Sequence, residues 1–151
     1  MGAVLDRIDL LWLLRFRFSY QLSPSDTFYY LVQSFRLLYR DRLLALVNIE
    51  TFEELLQALP QPLKDAVAGS NSIIEVQQRA GAFAAEEIRR QLAQSTSGIA
   101  RALGYLILRE RDLFTLFSLI QGKLLNLPQD LIEIGVEIAD PHCPSGIATA
   151  A

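Results

Sequence analysis

Apolar positions recur every three or four residues along most of the chain, the spacing of helices that bury one side. No stretch shows convincing period-two alternation, so the sequence reads as all-α. Val4 to about Tyr20 is expected as a first helix, with Leu5, Ile8, Leu11, Trp12 and Phe16 on its inner side. Ser23, Pro24 and Asp26 mark a second start, an N-cap, a first-position proline and an acid at the positive end of the helix dipole, and this second helix is expected to reach about Val47. Phe28, Tyr29, Tyr30, Phe35 and Tyr39 would then form an aromatic core stripe along it. Thr51 with Glu54, and Ser72 with Glu75, have capping-box spacing. They open a short helix ending near Leu59, before Pro60 and Pro62, and a long one to about Gln94 in which Gly81 is a weak point. A short helix from Leu63 to Ala68 lies between them, closed by Gly69. After a turn at Ser95–Gly98 a helix is expected from Ile99 to Leu125, with Leu106, Leu113, Leu116, Phe117 and Ile120 as a buried stripe, and Pro128 begins a last helix through about Val136. Residues 1–140 therefore read as a single helical domain, an antiparallel bundle, and residues 141–151 as a flexible tail.

Composition changes this picture in one respect. Hydrophobic residues make up 51% of the 151, with mean hydropathy +0.24, which is apolar for a lone water-exposed domain and predicts a surface that meets a partner. No apolar run approaches the roughly 18 to 20 residues of a membrane span, and Asp6, Arg7 and Asp9 interrupt any leader-like core. Met1-Gly2 resembles a myristoylation start, but position 6 is Asp rather than Ser or Thr. The net charge of −3 offers no concentrated positive face for nucleic acid. Charge is uneven, net +2 over residues 1–47 and −3 over 48–98, which scattered solvated faces also explain.

Candidate chemistry is sparse. The lone His142 and lone Cys143 adjoin each other in the tail, too few for a structural zinc and poorly held for nucleophilic catalysis. One cysteine allows no internal disulfide and suits a reducing, cytoplasmic setting. No glycine-rich phosphate loop occurs, and Glu53-Glu54 and Glu86-Glu87 fit the wet faces of amphipathic helices. No catalytic residue, metal or cofactor is expected. The Arg-x-Arg echo between Leu13–Arg17 and Ile107–Arg111 reads as a chance match in a chain rich in Leu and Arg. Arg15 and Arg17 would either find counter-charges, Asp41 or Asp112 among them, or project to a partner.

The segment Tyr105, Arg109, Glu110, Leu113, Leu116, Ile120, Gly122, Lys123, Leu124, Leu127, Pro128 resembles the C-terminal end of the C-type subunit of the V/A-type (vacuolar/archaeal-type) rotary ATPases, the equivalent of the d-type subunit in the eukaryotic V-ATPase. Ile8–Leu11, Leu14, Arg15 and Arg17, followed by Thr51–Leu56, resemble the start of one of that family's helical repeats, though less specifically. The resemblance implies the second half of a protein about twice this length, about one and a half of three repeats that make a funnel. It also implies a non-enzymatic role: a central-rotor adaptor that caps the membrane rotor ring of proteolipid, receives the central-shaft subunits and serves ion transport, peripheral to the membrane with no span of its own. Arg15, Arg17, Arg109, Arg111 and Lys123 are then the charges expected to orient the partner interface. A general helical interaction module without a rotary role is the alternative, and a small helical enzyme or lipid-binding protein with an apolar pocket is a more distant one.

Overall fold

The computed structural model describes residues 2–139, with side chains to residue 136. The expected tail, with His142 and Cys143, lies outside the described residues. Helices α1 Gly2–Leu14, α2 Pro24–Tyr30, α3 Arg40–Val47, α4 Phe52–Ala58, α5 Leu63–Ala66, α6 Ile73–Gln94, α7 Gly98–Leu124 and α8 Gln129–Ala139 follow one another, and no strand occurs among the described residues. The chain divides into two compact units with the boundary between Ala84 and Ala85, inside the α6 range.

Caps act where their residues predict. The Ser23 hydroxyl accepts from Asp26 N–H at 3.1 Å, Thr51 from Glu54 N–H at 3.4 Å, Ser72 from Glu75 N–H at 3.2 Å and Ser97 from Ala100 N–H at 3.4 Å. Each satisfies one of the amide donors that a helix start leaves without an intrahelical partner. The Glu75 carboxylate also reaches back to Asn71 N–H at 2.8 Å. Gly69 closes the turn after α5 at φ +73°, where a side chain would be strained. Helix α6 runs through Gly81 without a break.

The first helix differs from expectation at its end. Beyond Leu14 the backbone widens into a π-helical turn, Arg15–Ser19, sealed by Tyr20 N–H to Arg15 O at 2.8 Å. Its buried side is also rotated from the expected one. Leu10, Leu13 and Leu14 are fully buried together with Asp6 and Asp9, whereas Ile8 and Trp12 are exposed. Steps of three and four from Asp6 through Leu10 to Leu13 trace this side, so two carboxylates share the inner face with leucines.

The expected second helix is two helices. Residues 31–39 leave the helical path, because Asp6 draws the segment off it. Asp6 Oδ1 accepts from Leu37 N–H at 3.1 Å, Leu38 N–H at 3.0 Å and the Ser34 hydroxyl, and Arg36 Nη1 stands 3.7 Å from Asp6 Oδ2. Amide donors bound by a buried carboxylate are not available to a helix ladder. The aromatic stripe dissolves with the helix: Phe35 is 97% exposed, Tyr29, Tyr30 and Tyr39 are exposed, and Phe28 alone packs partly against the core. The first unit's core is instead leucine-rich, joining α1 to Leu38, to Leu43 and Leu46 of α3, and to Leu55, Leu63 and Val76 further on.

Candidate functional site

The second unit contains all of α7, many of whose large apolar side chains are exposed. This helix packs on the end of α6 through Gly104, where a Cβ would stand 3.2 Å from the Leu92 side chain and 3.3 Å from Ile88. It then reverses into α8 through a tight hairpin. Leu127 N–H bonds Gly122 O at 3.0 Å and Asn126 N–H bonds Lys123 O at 3.2 Å, with Asn126 at φ +50°. This is the paired-bond Schellman closure with asparagine at the left-handed position, and Pro128 directly after it stops the helix and begins the next. Gly122 is buried against α8, and a Cβ there would stand 2.6 Å from Ile132 Cγ1. The Gly-Lys-Leu and Leu-Pro residues of the sequence are thus the parts of this hairpin.

The α7 stripe is expected to be buried, and the structure corrects that. Leu113 is 65% exposed and Phe117 58%, and Leu106, Leu116 and Ile120 are also exposed, because α8 covers the Gly122 side of α7 and not this one. With Glu110 and Phe114, the residues Leu113, Leu116, Phe117 and Ile120 line an open groove of about 460 Å³. A continuous apolar face of this kind marks an interaction surface. Two phenylalanines within it supply the large contact area that anchors interfaces.

The five expected interface cations occupy different settings. Arg15 donates to Gln77 Oε1 at 3.1 Å and lies 5.6 Å from the Trp12 ring, tying the end of α1 to α6 within the first unit. Arg17 donates to Leu22 O at 2.7 Å and so closes the loop after the π turn. Neither of these two bonds uses Asp41 or Asp112. Arg109, Arg111 and Lys123 belong to α7. Arg109 donates to Tyr105 Oη at 2.9 Å and to Asp112 Oδ2 at 3.1 Å, an exposed pair that solvent screens and that adds little to stability. Arg111 is half-buried, and Lys123 Nζ donates to Gln129 Oε1 at 3.2 Å across the hairpin. Structure therefore brings together the α7 cations and the apolar groove on one helix, and places Arg15 and Arg17 in the other unit. Phe114 is the groove residue that periodicity does not single out. Its signal is its position between Leu113 and Leu116 on a helix rich in apolar residues on all sides.

Among the described residues no group of three or more His, Cys, Asp or Glu side chains is placed to hold a metal ion. Nor is any helix among them long and apolar enough to cross a membrane. Comparison with known proteins finds no match among curated proteins or solved structures. A family model does match, that of the ATP synthase (C/AC39) subunit, over residues 1–134. That span takes in both units and the whole α7–α8 hairpin up to Ile134, and by it the chain belongs to the C/AC39 subunit family of V/A-type ATP synthases.

Proposed function

We propose that this chain is a non-catalytic adaptor of the rotor of a V/A-type ATPase, coupling the central shaft to the membrane rotor ring and so serving ion transport. The observation that carries the reading, beside family membership, is the exposed apolar face of α7 centred on Leu113 and Phe117. Torque transfer requires no bond chemistry. It requires an interface that excludes water and does not slip, and packed aromatic anchors inside a charged rim have that character. The groove supplies the anchors, and Arg109, Arg111 and Lys123 on the same helix supply rim charges. Charges of this sort set orientation and association rate more than affinity.

Affinity purification of the tagged chain from its native membranes in mild detergent, followed by mass spectrometry, tests the reading. Central-shaft subunits and the rotor-ring proteolipid are expected to follow the chain. Recovery of neither, from membranes that contain an intact complex, would sink the rotary role and leave a helical interaction module. Charge reversal at Arg109 and Arg111 together is expected to weaken capture without loss of helicity by circular dichroism, and unchanged capture removes those two residues from the interface.

A further inference from the structure

The first unit holds a buried acidic pair that the adaptor role does not use. Asp6 and Asp9 are each 1% exposed and lie one turn apart on α1. Asp6 is engaged through Oδ1, which binds the amides of Leu37 and Leu38 and the hydroxyl of Ser34, while its Oδ2 has no hydrogen bond and stands 3.7 Å from Arg36 Nη1. Asp9 is not: neither of its oxygens has a well-formed hydrogen bond, although the amides of Val32 and Ser34 face it and ease its ionisation. Both carboxyls thus bear on the same non-helical segment, residues 31–39, from below. Of the charged groups around the pair, Arg36 on that segment stands 3.7 Å from Asp6 and lies over the Phe83 ring of α6 at 5.9 Å. Arg7, on α1 itself, is desolvated, and Asp6 adds a like charge beside Asp9.

We propose that Asp6 and Asp9 form a proton-controlled latch on residues 31–39, closed while Asp9 is protonated and loosened when Asp9 ionises. Asp6 supplies the grip. A second buried carboxylate beside it has no cation of its own and gains solvation only if the segment lifts, so ionisation favours the open form. The direction follows from burial, which raises the Asp9 carboxyl to about 7, with the Asp6 charge adding to the rise. Once the segment is lifted, Asp9 returns towards the ordinary carboxylate value near 4. The closed form therefore loses ground as pH rises between those two values and is weakest, and constant, above the higher one. Lifting the segment frees a stretch whose Val32, Phe35 and Tyr39 are already exposed.

Hydrogen exchange of the full chain, corrected for the intrinsic pH dependence of exchange, tests this. Amides of residues 32–38 are expected to lose roughly ten- to a hundredfold of their protection between pH 5 and pH 7.5, while α6 amides hold theirs. Asp9→Asn is expected to keep the segment at its pH 5 protection throughout. Flat protection in the wild-type segment, a loss shared equally by α1 and α6, or an Asp9→Asn chain that still follows the wild-type profile would each overturn the latch. Should that variant fail to fold, the carboxyl carbon resonance of Asp9 in the wild-type chain decides the matter. A titration midpoint above 6 that coincides with loss of segment protection upholds it, and a midpoint in the ordinary carboxylate range overturns it.

Discussion

Asp6 and Asp9 show how two identical side chains on one helix face take opposite parts. Asp6 is offset by two backbone amides, a hydroxyl and a nearby guanidinium, so its charge is useful in the interior. Removing it as Asp6→Ala leaves the Leu37 amide without its acceptor and the Leu38 amide with the Ser34 hydroxyl alone, at 3.2 Å, and a loss of about 1–3 kcal/mol in chemical denaturation is expected. Asp9 has no such compensation. Its folded-state carboxyl is raised to about 7, above the unfolded value, so the fold holds a proton that the unfolded chain releases. The sign follows: Asp9 supports the fold fully below about pH 4, support declines as pH rises to about 7, and above that the full cost of burying a charge remains. Asp9→Asn is therefore expected to stabilise the chain at pH 8 by roughly 1–3 kcal/mol and to flatten the pH profile of the thermal midpoint between 4 and 7. A variant with an unchanged profile would show that Asp9 titrates normally. Neither role is legible in the sequence, where Asp6, Arg7 and Asp9 mark only an interruption of an apolar run. The available signal is that Asp6, Leu10 and Leu13 share one helical face.

At the scale of elements, capping residues predict starts and stops well because their chemistry is local. Ser23, Thr51 and Ser72 each bond the amide three residues on, as their spacing requires. The α7–α8 hairpin is equally local, closed by bonds among residues 122–127. What sets its tightness is Gly122, which lets α8 approach more closely than a side chain allows. Gly122→Ala would place a methyl 2.6 Å from Ile132 Cγ1, and the expected cost is about 1–3 kcal/mol of overpacking. Combining it with Ile132→Ala should recover part of that loss in a double-mutant cycle, since both changes act on the same contact. Strict additivity would mean that the two helices do not meet there. The element that periodicity does not show is the break at 31–39, whose cause, Asp6, lies some thirty residues away in the chain. Periodicity reports the local preference of that segment, and a long-range carboxylate overrides it.

Over the whole molecule, the apolar surplus in the composition sits largely on exposed faces. The core leucines of the first unit are buried, and Leu55→Ala is expected to cost about 2–5 kcal/mol. Leu113 and Phe117 have the same chemistry and stand exposed. Leu113→Ser with Phe117→Ser should change stability by no more than about 0.5 kcal/mol per site, yet lower capture of shaft and ring subunits at least tenfold if this face is the interface. Equal capture by the double variant would move the interface elsewhere. Helix class, cap positions, the hairpin residues and family membership all followed from the order of amino acids, because each depends on neighbours within a few positions or on a motif kept in linear order. Which apolar stripe is covered depends on what another part of the chain brings against it. A helical period is the same for a stripe facing a core and one facing solvent, and a carboxylate's worth depends on the amides and charges placed around it. Folding therefore decided that α1 turns its acids inward, that Phe35 and Tyr39 face out, and that α7 is left with an open groove.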